Sequence, residues 1–166
     1  MSRYHRTDIP FARVIRALAE AYQAFEQDSG AHIRTTGLSA PQFDVICTLG
    51  NTEGMTFSEL GQRTLIYKTT LTGVVDRLEQ KGLVDRVPCE EDRRCVYVRL
   101  TGDGEALFGE IFPSHMAHLA ERLEELSPAE LDAAEQSLQR LAEALNDDAS
   151  RGEEAEATAT TRAAQR

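Results

Sequence analysis

Features that would direct this chain to a membrane or to the secretory pathway are missing. No run of about 18 apolar residues occurs, so no transmembrane helix is expected. The N-terminal stretch MSRYHRTDIPFARVIRALAEAY has neither an apolar signal-peptide core nor a small-residue cleavage site. The three cysteines form an odd set at irregular spacing, which argues against a secreted disulfide framework. We therefore expect a soluble, cytoplasmic protein.

Tryptophan is also absent, and aromatic residues make up only 6% of the 166 residues, but a hydrophobic content of 41% suffices for a core. Lysine is scarce, and both lysines lie between residues 61 and 99. That segment has eight basic and six acidic residues, whereas the whole chain has a net charge of −10. This uneven charge favours a nucleic-acid-binding surface in residues 61–99 of a chain whose overall negative charge repels nucleic acid. Ordinary variation in surface charge would also explain it.

The first half of the chain reads as a series of helices. Apolar residues at helical spacing predict an amphipathic helix over residues 9–30. The capping sequences SAPQ (39–42) and TFSE (56–59) open two further helices. A fourth helix is predicted from about residue 68 to residue 81, with Gly82 as its stop.

The period then changes. The alternating stretches LVDRVPC (83–89) and CVYVRL (95–100) predict a β-hairpin joined by the charged connection EEDRR. Thr101 can cap the helix that follows, and SPAE (127–130) opens a last helix with a heptad-like apolar seam. The remainder is polar and without periodicity, which predicts a disordered tail.

This order predicts a mainly α protein with a small β-hairpin wing, the winged helix-turn-helix pattern, in which the second short helix lies in the DNA major groove. We divide the chain into an N-terminal dimerisation helix (1–36), a DNA-binding domain (37–100), C-terminal dimerisation helices (101–146) and a disordered acidic tail (147–166).

The helix predicted to enter DNA begins YKTTLTG. Lys68, Thr69, Thr70 and Thr72 lie off the face used by its apolar residues, and threonine hydroxyls can approach base edges closely. Lys68 would add charge at the backbone, and Arg77 could reach a phosphate further along. Alternatively, the threonines serve only to cap the helix.

The charged hairpin connection supplies a second candidate contact. Asp92 and Arg94 are two residues apart, hence on one face of an extended tip, where the carboxylate can orient the guanidinium. An oriented arginine at a protruding tip suits a narrow minor groove, and Arg93 would face the other way toward phosphate. Solubility alone would also explain such a tip.

The segment KTTLTGVVDRLEQKGLVDRVPCEEDRRCVYVRLTGDGEALF (68–108) resembles the MarR family of bacterial regulators, whose pattern is roughly S-T-V-T-R-L-V-D-R-L-E-x-K-G-L-V-x-R, D-x-R and V-x-L-T-x-x-G. The resemblance implies a homodimer with helices of both chain ends at its interface, a pseudo-palindromic operator that is often in the protein's own promoter, and a wing pair at Asp92 and Arg94. Gly73 departs from the pattern, since many members have arginine there.

The resemblance also implies a small-molecule effector, typically a phenol or an aromatic carboxylate, bound between the dimer helices and the DNA-binding lobe. Arg16 could then pair with a carboxylate. The alternative places the aromatic candidates in the core and Arg16 in a salt bridge. The candidate lining residues are Arg16, Phe43, Cys47, Phe112 and His115.

A thiol switch is a further alternative. Cys89 and Cys95 flank the hairpin tip and could face each other across the strands within disulfide range. Neighbouring arginines would lower a thiol pKa and neighbouring acids would oppose that effect. The simpler interpretation is that Cys89 and Cys95 are unreactive thiols.

Other classes of function receive little support. His115 and His118 are three apart on a helix but have no partner ligand at a diagnostic spacing, so no metal site and no cofactor are expected. A nucleophilic Cys47 is conceivable, but no catalytic motif accompanies it, and we expect no enzyme. The alternative function from another class is a winged helix that binds another protein and not DNA.

Overall fold

The computed structural model describes residues 9–64, 66, 68–88 and 96–163, with side chains up to Asn146 apart from those of residues 10 and 68. Nine elements follow one another along the chain. In order, these are α1 (Pro10–Thr35), α2 (Ala40–Leu49), β1 (Met55–Thr56), α3 (Phe57–Arg63), α4 (Lys68–Gln80), β2 (Val84–Pro88), β3 (Val96–Leu100), α5 (Gly102–Leu123) and α6 (Pro128–Ala163).

The predicted helix starts are confirmed. Ser39 N–H donates to Gln42 Oε1 at 3.1 Å at the start of α2, and Thr56 N–H donates to Glu59 Oε2 at 2.8 Å at the start of α3. The reciprocal bond from Glu59 N–H to Thr56 Oγ1 measures 3.2 Å. Two of the donors that a helix N-terminus leaves unpaired are thereby satisfied at α3. Just after the C-terminal end of α4, Gly82 has φ = +71°, a left-handed conformation that glycine adopts readily.

The predicted hairpin is present and forms part of a larger sheet. Strands β2 and β3 pair antiparallel from Val84 opposite Leu100 to Pro88 opposite Val96. The two-residue strand β1 adds to the free edge of β3, with Met55 opposite Val98, and gives the strand order β1-β3-β2. The sequence did not predict β1, because two residues are too few for an alternating pattern to emerge.

The core lies where α2, α3 and α4 pack on this sheet. It is almost entirely aliphatic. Its fully buried side chains are Val45, Ile46, Leu49, Leu60, Val74, Val75, Leu78, Val84 and Val98.

Helix α1 is longer than predicted and leaves much of its apolar stripe uncovered. Phe11 is 67% exposed, Tyr22 55% and Phe25 50%, whereas Ile33 near the C-terminal end of the helix is buried. The amphipathic pattern is therefore real, but in a single chain only the last turns of α1 are covered. No helix in the described part of the chain combines the length and the apolarity that crossing a membrane requires.

The chain divides into two compact units, residues 1–121 and residues 122–166. In the second unit, Ser127 and Glu130 form the predicted capping box, with Ser127 N–H donating to Glu130 Oε2 at 2.8 Å. Helix α6 then continues to Ala163, through most of the segment predicted as a disordered tail. Alanine and glutamate are strong helix formers, so residues 147–163 can be helical without a periodic apolar face.

Candidate nucleic-acid interface

Helix α4 has one buried face and one exposed face. Leu71, Val74, Val75 and Leu78 are buried against the core. Thr69, Thr70, Thr72 and Arg77 are all exposed, as the sequence predicted, and Lys68 is the first residue of the helix. Among the described side chains near the helix N-terminus, the exposed face therefore presents the small hydroxyl groups of threonines. Such a face can enter a DNA groove without losing core contacts.

Gly73 lies on this exposed side. A Cβ placed there would meet nothing within 4 Å except an Arg77 guanidinium nitrogen at 4.0 Å. Packing therefore does not require glycine at this position.

Helix α4 and the hairpin are joined by ion pairs. Arg86 of β2 donates to Asp76 Oδ1 at 2.6 Å and to Glu79 Oε2 at 3.0 Å, and both acids belong to α4. The Arg86 guanidinium carbon also lies 5.2 Å from the ring centroid of Phe57, at the start of α3. The Arg86 side chain thus connects the hairpin to both α3 and α4. From the sequence alone, Arg86, Asp76 and Glu79 are recognisable only as charged residues.

The predicted hairpin-tip residues, Asp92, Arg93 and Arg94, lie outside the described residues, and so do Cys89 and Cys95. Neither the minor-groove probe nor the disulfide switch is tested by the structure.

The predicted effector residues lie in three places within one chain. Phe43 and His115 are buried and touch edge to face, with ring centroids 4.8 Å apart, and Cys47 packs half-buried against the same core. Phe112 is at the surface, 37% exposed, and stacks on Phe108. Arg16 is exposed and pairs with Glu20 on its own helix. Within one chain, Arg16 lies about 20 Å along α1 from the His115 contact at Ser29.

A polar cluster that the sequence did not predict surrounds His115. The His115 ring lies 3.2 Å from Ser29 Oγ through Nε2 and 3.1 Å from His32 Nδ1 through Nδ1. His118 pairs with Asp28 at 2.8 Å and stacks on His32 with centroids 4.5 Å apart. The spacing of His115 and His118 was the only local signal, because their partners lie more than 80 residues earlier in the chain.

Burial and charge act on two titratable groups near this cluster. Burial lowers the pKa of His115 below its usual value, the neighbouring His32 and His118 lower it further, and Asp28 opposes them. Burial raises the pKa of Cys47 to about 12, assisted by Asp44, so its thiol stays protonated at neutral pH. Among the residues that the structure describes, no group of three or more histidine, cysteine or acidic residues is arranged to hold a metal ion.

Comparisons with known proteins agree with this architecture. A model of the MarR family matches residues 38–96, which run from the residue before the α2 cap to the first residue of β3. The HTH-type transcriptional regulator MhqR of Bacillus subtilis (strain 168) is 32% identical over 124 residues, which are 75% of this chain and 86% of MhqR.

Solved structures show the same fold. AbsC, a MarR family transcriptional regulator from Streptomyces coelicolor, superimposes with a TM-score of 0.77 at 25% identity and covers 87% of this chain and 99% of its own. BpsR of Bordetella bronchiseptica, whose DNA binding is regulated by 6-hydroxynicotinic acid, gives 0.72 at 30% identity, covering 85% of this chain and 98% of its own. Together with the winged helix-turn-helix geometry, these likenesses establish that the chain belongs to the MarR family of transcription regulators.

Proposed function

We propose that the protein is a repressor that binds a pseudo-palindromic operator as a homodimer and is released by a small aromatic or phenolic acid. The observation that carries the DNA-binding part is the exposed, hydroxyl-lined face of α4, held on a packed core. In this proposal Thr69, Thr70 and Thr72 approach base edges, while Lys68 and Arg77 contact phosphates.

The hairpin tip makes the second contact in this proposal. Arg94, oriented by Asp92, enters the minor groove, and Arg93 meets a phosphate. The antiparallel register of β2 and β3 supports this assignment, because it pairs Pro88 with Val96, the described residues on either side of the tip.

The uncovered apolar side chains of α1 support a homodimer. A monomer would leave Phe11, Tyr22 and Phe25 in water on one helix, and contiguous apolar surface of this kind marks an interaction site. The exposed leucines of α6, Leu131, Leu138 and Leu145, recur every seven residues, which suits packing against another helix. In a dimer that reads two half-sites, the two α4 helices would lie about 34–36 Å apart.

The effector is proposed from two observations. BpsR responds to 6-hydroxynicotinic acid, a hydroxylated aromatic acid. In this chain the aromatic ring of Phe43 touches His115, and His115 in turn contacts Ser29 and His32, at the junction of α1, α2 and α5. A hydroxylated aromatic acid could stack on the ring and hydrogen-bond to such groups. Arg16 lies apart from this junction in one chain and is not assigned to it.

Two alternatives remain to be separated. A thiol-responsive regulator would use Cys89 and Cys95 and would release DNA on oxidation, and Cys89→Ser would abolish that release. A winged helix used for protein contacts would show no preference for one DNA sequence and little dependence on salt.

The test begins with selection of duplexes from a random-sequence pool under reducing conditions. We expect enrichment of an inverted repeat, followed by tight, salt-dependent binding in fluorescence anisotropy against a scrambled duplex. Aromatic acids and oxidant are then added to the same assay. No enriched sequence would refute the operator proposal and favour the protein-contact alternative.

Variants assign the contacts. Thr70→Ala and Thr72→Ala should weaken selective binding, whereas Gln80→Ala, an exposed position at the end of the same helix, should not. Arg77→Gln should lower the affinity for all sequences and reduce the slope of log K against log salt by about 0.9 per phosphate contact. Arg94→Ala should cost about 1–3 kcal/mol in operator binding, and an unchanged affinity would remove the hairpin tip from the proposal.

A further inference from the structure

Arg86 has a set of contacts that core packing does not require. Its guanidinium bridges Asp76 and Glu79 through separate nitrogens, at 2.6 Å and 3.0 Å, and lies over the Phe57 ring. The side chain is 28% exposed, against 45% for Asp76 and 41% for Glu79. A planar guanidinium can satisfy two carboxylates and an aromatic face at once, which lysine cannot do.

The two acids would be unfavourable without this partner. Asp76 and Glu79 are three residues apart on α4, so they share one side of the helix and repel each other. Both lie toward the C-terminal end of the helix, where negative charge opposes the helix dipole. On a helix meant for DNA they would also repel phosphates. Arg86 offsets one of these two negative charges and connects both acids to the hairpin.

We propose that Arg86 is a positioning residue for DNA recognition, which fixes the angle between α4 and the β2–β3 hairpin so that both meet DNA at the same time. The inference rests on the proposed function and adds to it the element that couples the two DNA-contacting parts. The backbone bond from Leu83 N–H to Leu78 O, 3.0 Å, holds only the base of the hairpin. Arg86 provides a second connection three residues further along the chain, within β2.

Arg86 is not proposed to touch DNA itself. Two of its nitrogens are occupied by carboxylates, and one face of the guanidinium is covered by Phe57. Its loss should therefore reduce the selectivity between sequences and leave the phosphate contacts, which dominate non-selective binding, in place. This separation distinguishes a positioning role from a direct one.

The experiment compares Arg86→Gln, Arg86→Lys and the control Arg99→Gln with the unchanged protein. Arg99 is exposed on the neighbouring strand β3, so the control removes the same charge from the same sheet without breaking the bridge to α4. Anisotropy titrations use the selected duplex and its scrambled counterpart at several salt concentrations, well below the lowest melting temperature of the set.

Arg86→Gln should bind the selected duplex about tenfold more weakly, the equivalent of one lost base contact. Its affinity for the scrambled duplex and its salt slope should not change. Arg86→Lys should be intermediate, because its compact ammonium keeps the positive charge but lacks the two separate nitrogens that reach Asp76 and Glu79 and the planar face that lies over Phe57. Arg99→Gln should leave the ratio of the affinities for the selected and the scrambled duplex unchanged.

Three outcomes would overturn the inference. An unchanged ratio for Arg86→Gln would leave the bridge without a role in recognition. Equal weakening on both duplexes, with a salt slope lower by about 0.9, would make Arg86 a phosphate contact. Loss of selectivity that is fully explained by a smaller folded fraction would make its role purely structural.

Hydrogen exchange without DNA separates failure of this inference from failure of the proposed function. If the unchanged protein shows no sequence preference, the proposed function and the recognition role of Arg86 both fall. Faster exchange of residues 84–88 and 96–100 in Arg86→Gln, with α2 unaffected, would show that the bridge holds the hairpin. Unchanged exchange in the hairpin would overturn the bridge itself.

Discussion

Gly104 and Gly109 offer the sharpest test of the packing, because they lie in the same helix and in opposite surroundings, one crowded and one open. A Cβ at Gly104 would overlap the carbonyl oxygen of Leu83 and lie 3.1 Å from its carbonyl carbon and 3.2 Å from Leu100 Cβ. A Cβ at Gly109 would meet nothing within 4 Å. We expect Gly104→Ala to destabilise the protein and Gly109→Ala to stabilise it.

The Leu83 carbonyl cannot easily move away. It accepts the Thr101 N–H at 3.1 Å, while Thr101 Oγ1 donates to Gly82 O at 2.7 Å and accepts from Gly104 N–H at 3.1 Å. The predicted cap of α5 therefore also connects this helix to the base of the hairpin. A methyl group at residue 104 must break part of this network or move the start of α5.

The magnitudes follow from these contacts. Overpacking costs about 1–3 kcal/mol, and a collision with backbone belongs at the upper end of that range. Alanine recovers at most about 1 kcal/mol of helix propensity, which leaves a net loss of about 2 kcal/mol for Gly104→Ala. For a chain of this size, that loss lowers the melting temperature by about 4–8 °C. Gly109→Ala should raise it by about 2–4 °C.

Thermal unfolding followed by circular dichroism measures both variants under one set of conditions. A Gly104→Ala protein as stable as Gly109→Ala would refute the close approach of α5 to Leu83. A melting temperature for Gly109→Ala below that of the unchanged protein would refute the open surroundings of Gly109.

Three further predictions concern single side chains. Thr56→Ala removes the cap of α3 and should cost about 1 kcal/mol, measured by thermal or urea unfolding. In a protein with Cys89 and Cys95 changed to serine, Cys47 should react slowly with a thiol-specific alkylating reagent at pH 7.5 and rapidly in denaturant, since its pKa is raised to about 12; fast reaction in the native state would contradict its burial. Because the pKa of His115 is lowered on folding, the unfolded chain binds more protons in acid. His115 therefore contributes stability above pH 6.5, the usual pKa of histidine, and this contribution is lost as the pH falls below that value. His115→Gln should make the melting temperature depend less on pH between pH 7.5 and 5.

The exposed face of α4 shows how far the candidate site could be predicted. The spacing of Leu71, Val74 and Leu78 placed the threonines on the other side of the helix, and the structure exposes them as expected. The proposed effector residues do not all lie together within one chain. Phe43, Cys47 and His115 come together near the core, but Arg16 does not join them in one chain. Periodicity gives the face of a helix on which a residue lies, and it does not say which distant residue that face meets.

Local sequence determined the elements of this protein. Helix starts such as Thr56 with Glu59, and the stop at Gly82, depend on hydrogen bonds and dihedral angles within a few residues, so they are visible in the chain itself. Tertiary structure decided the relations between elements. It joined β1 to β3, brought Arg86 to α4, and gathered His32 with His115 and His118. Those contacts depend on how helices and strands pack, and residues up to 90 positions apart carry no local signal of meeting.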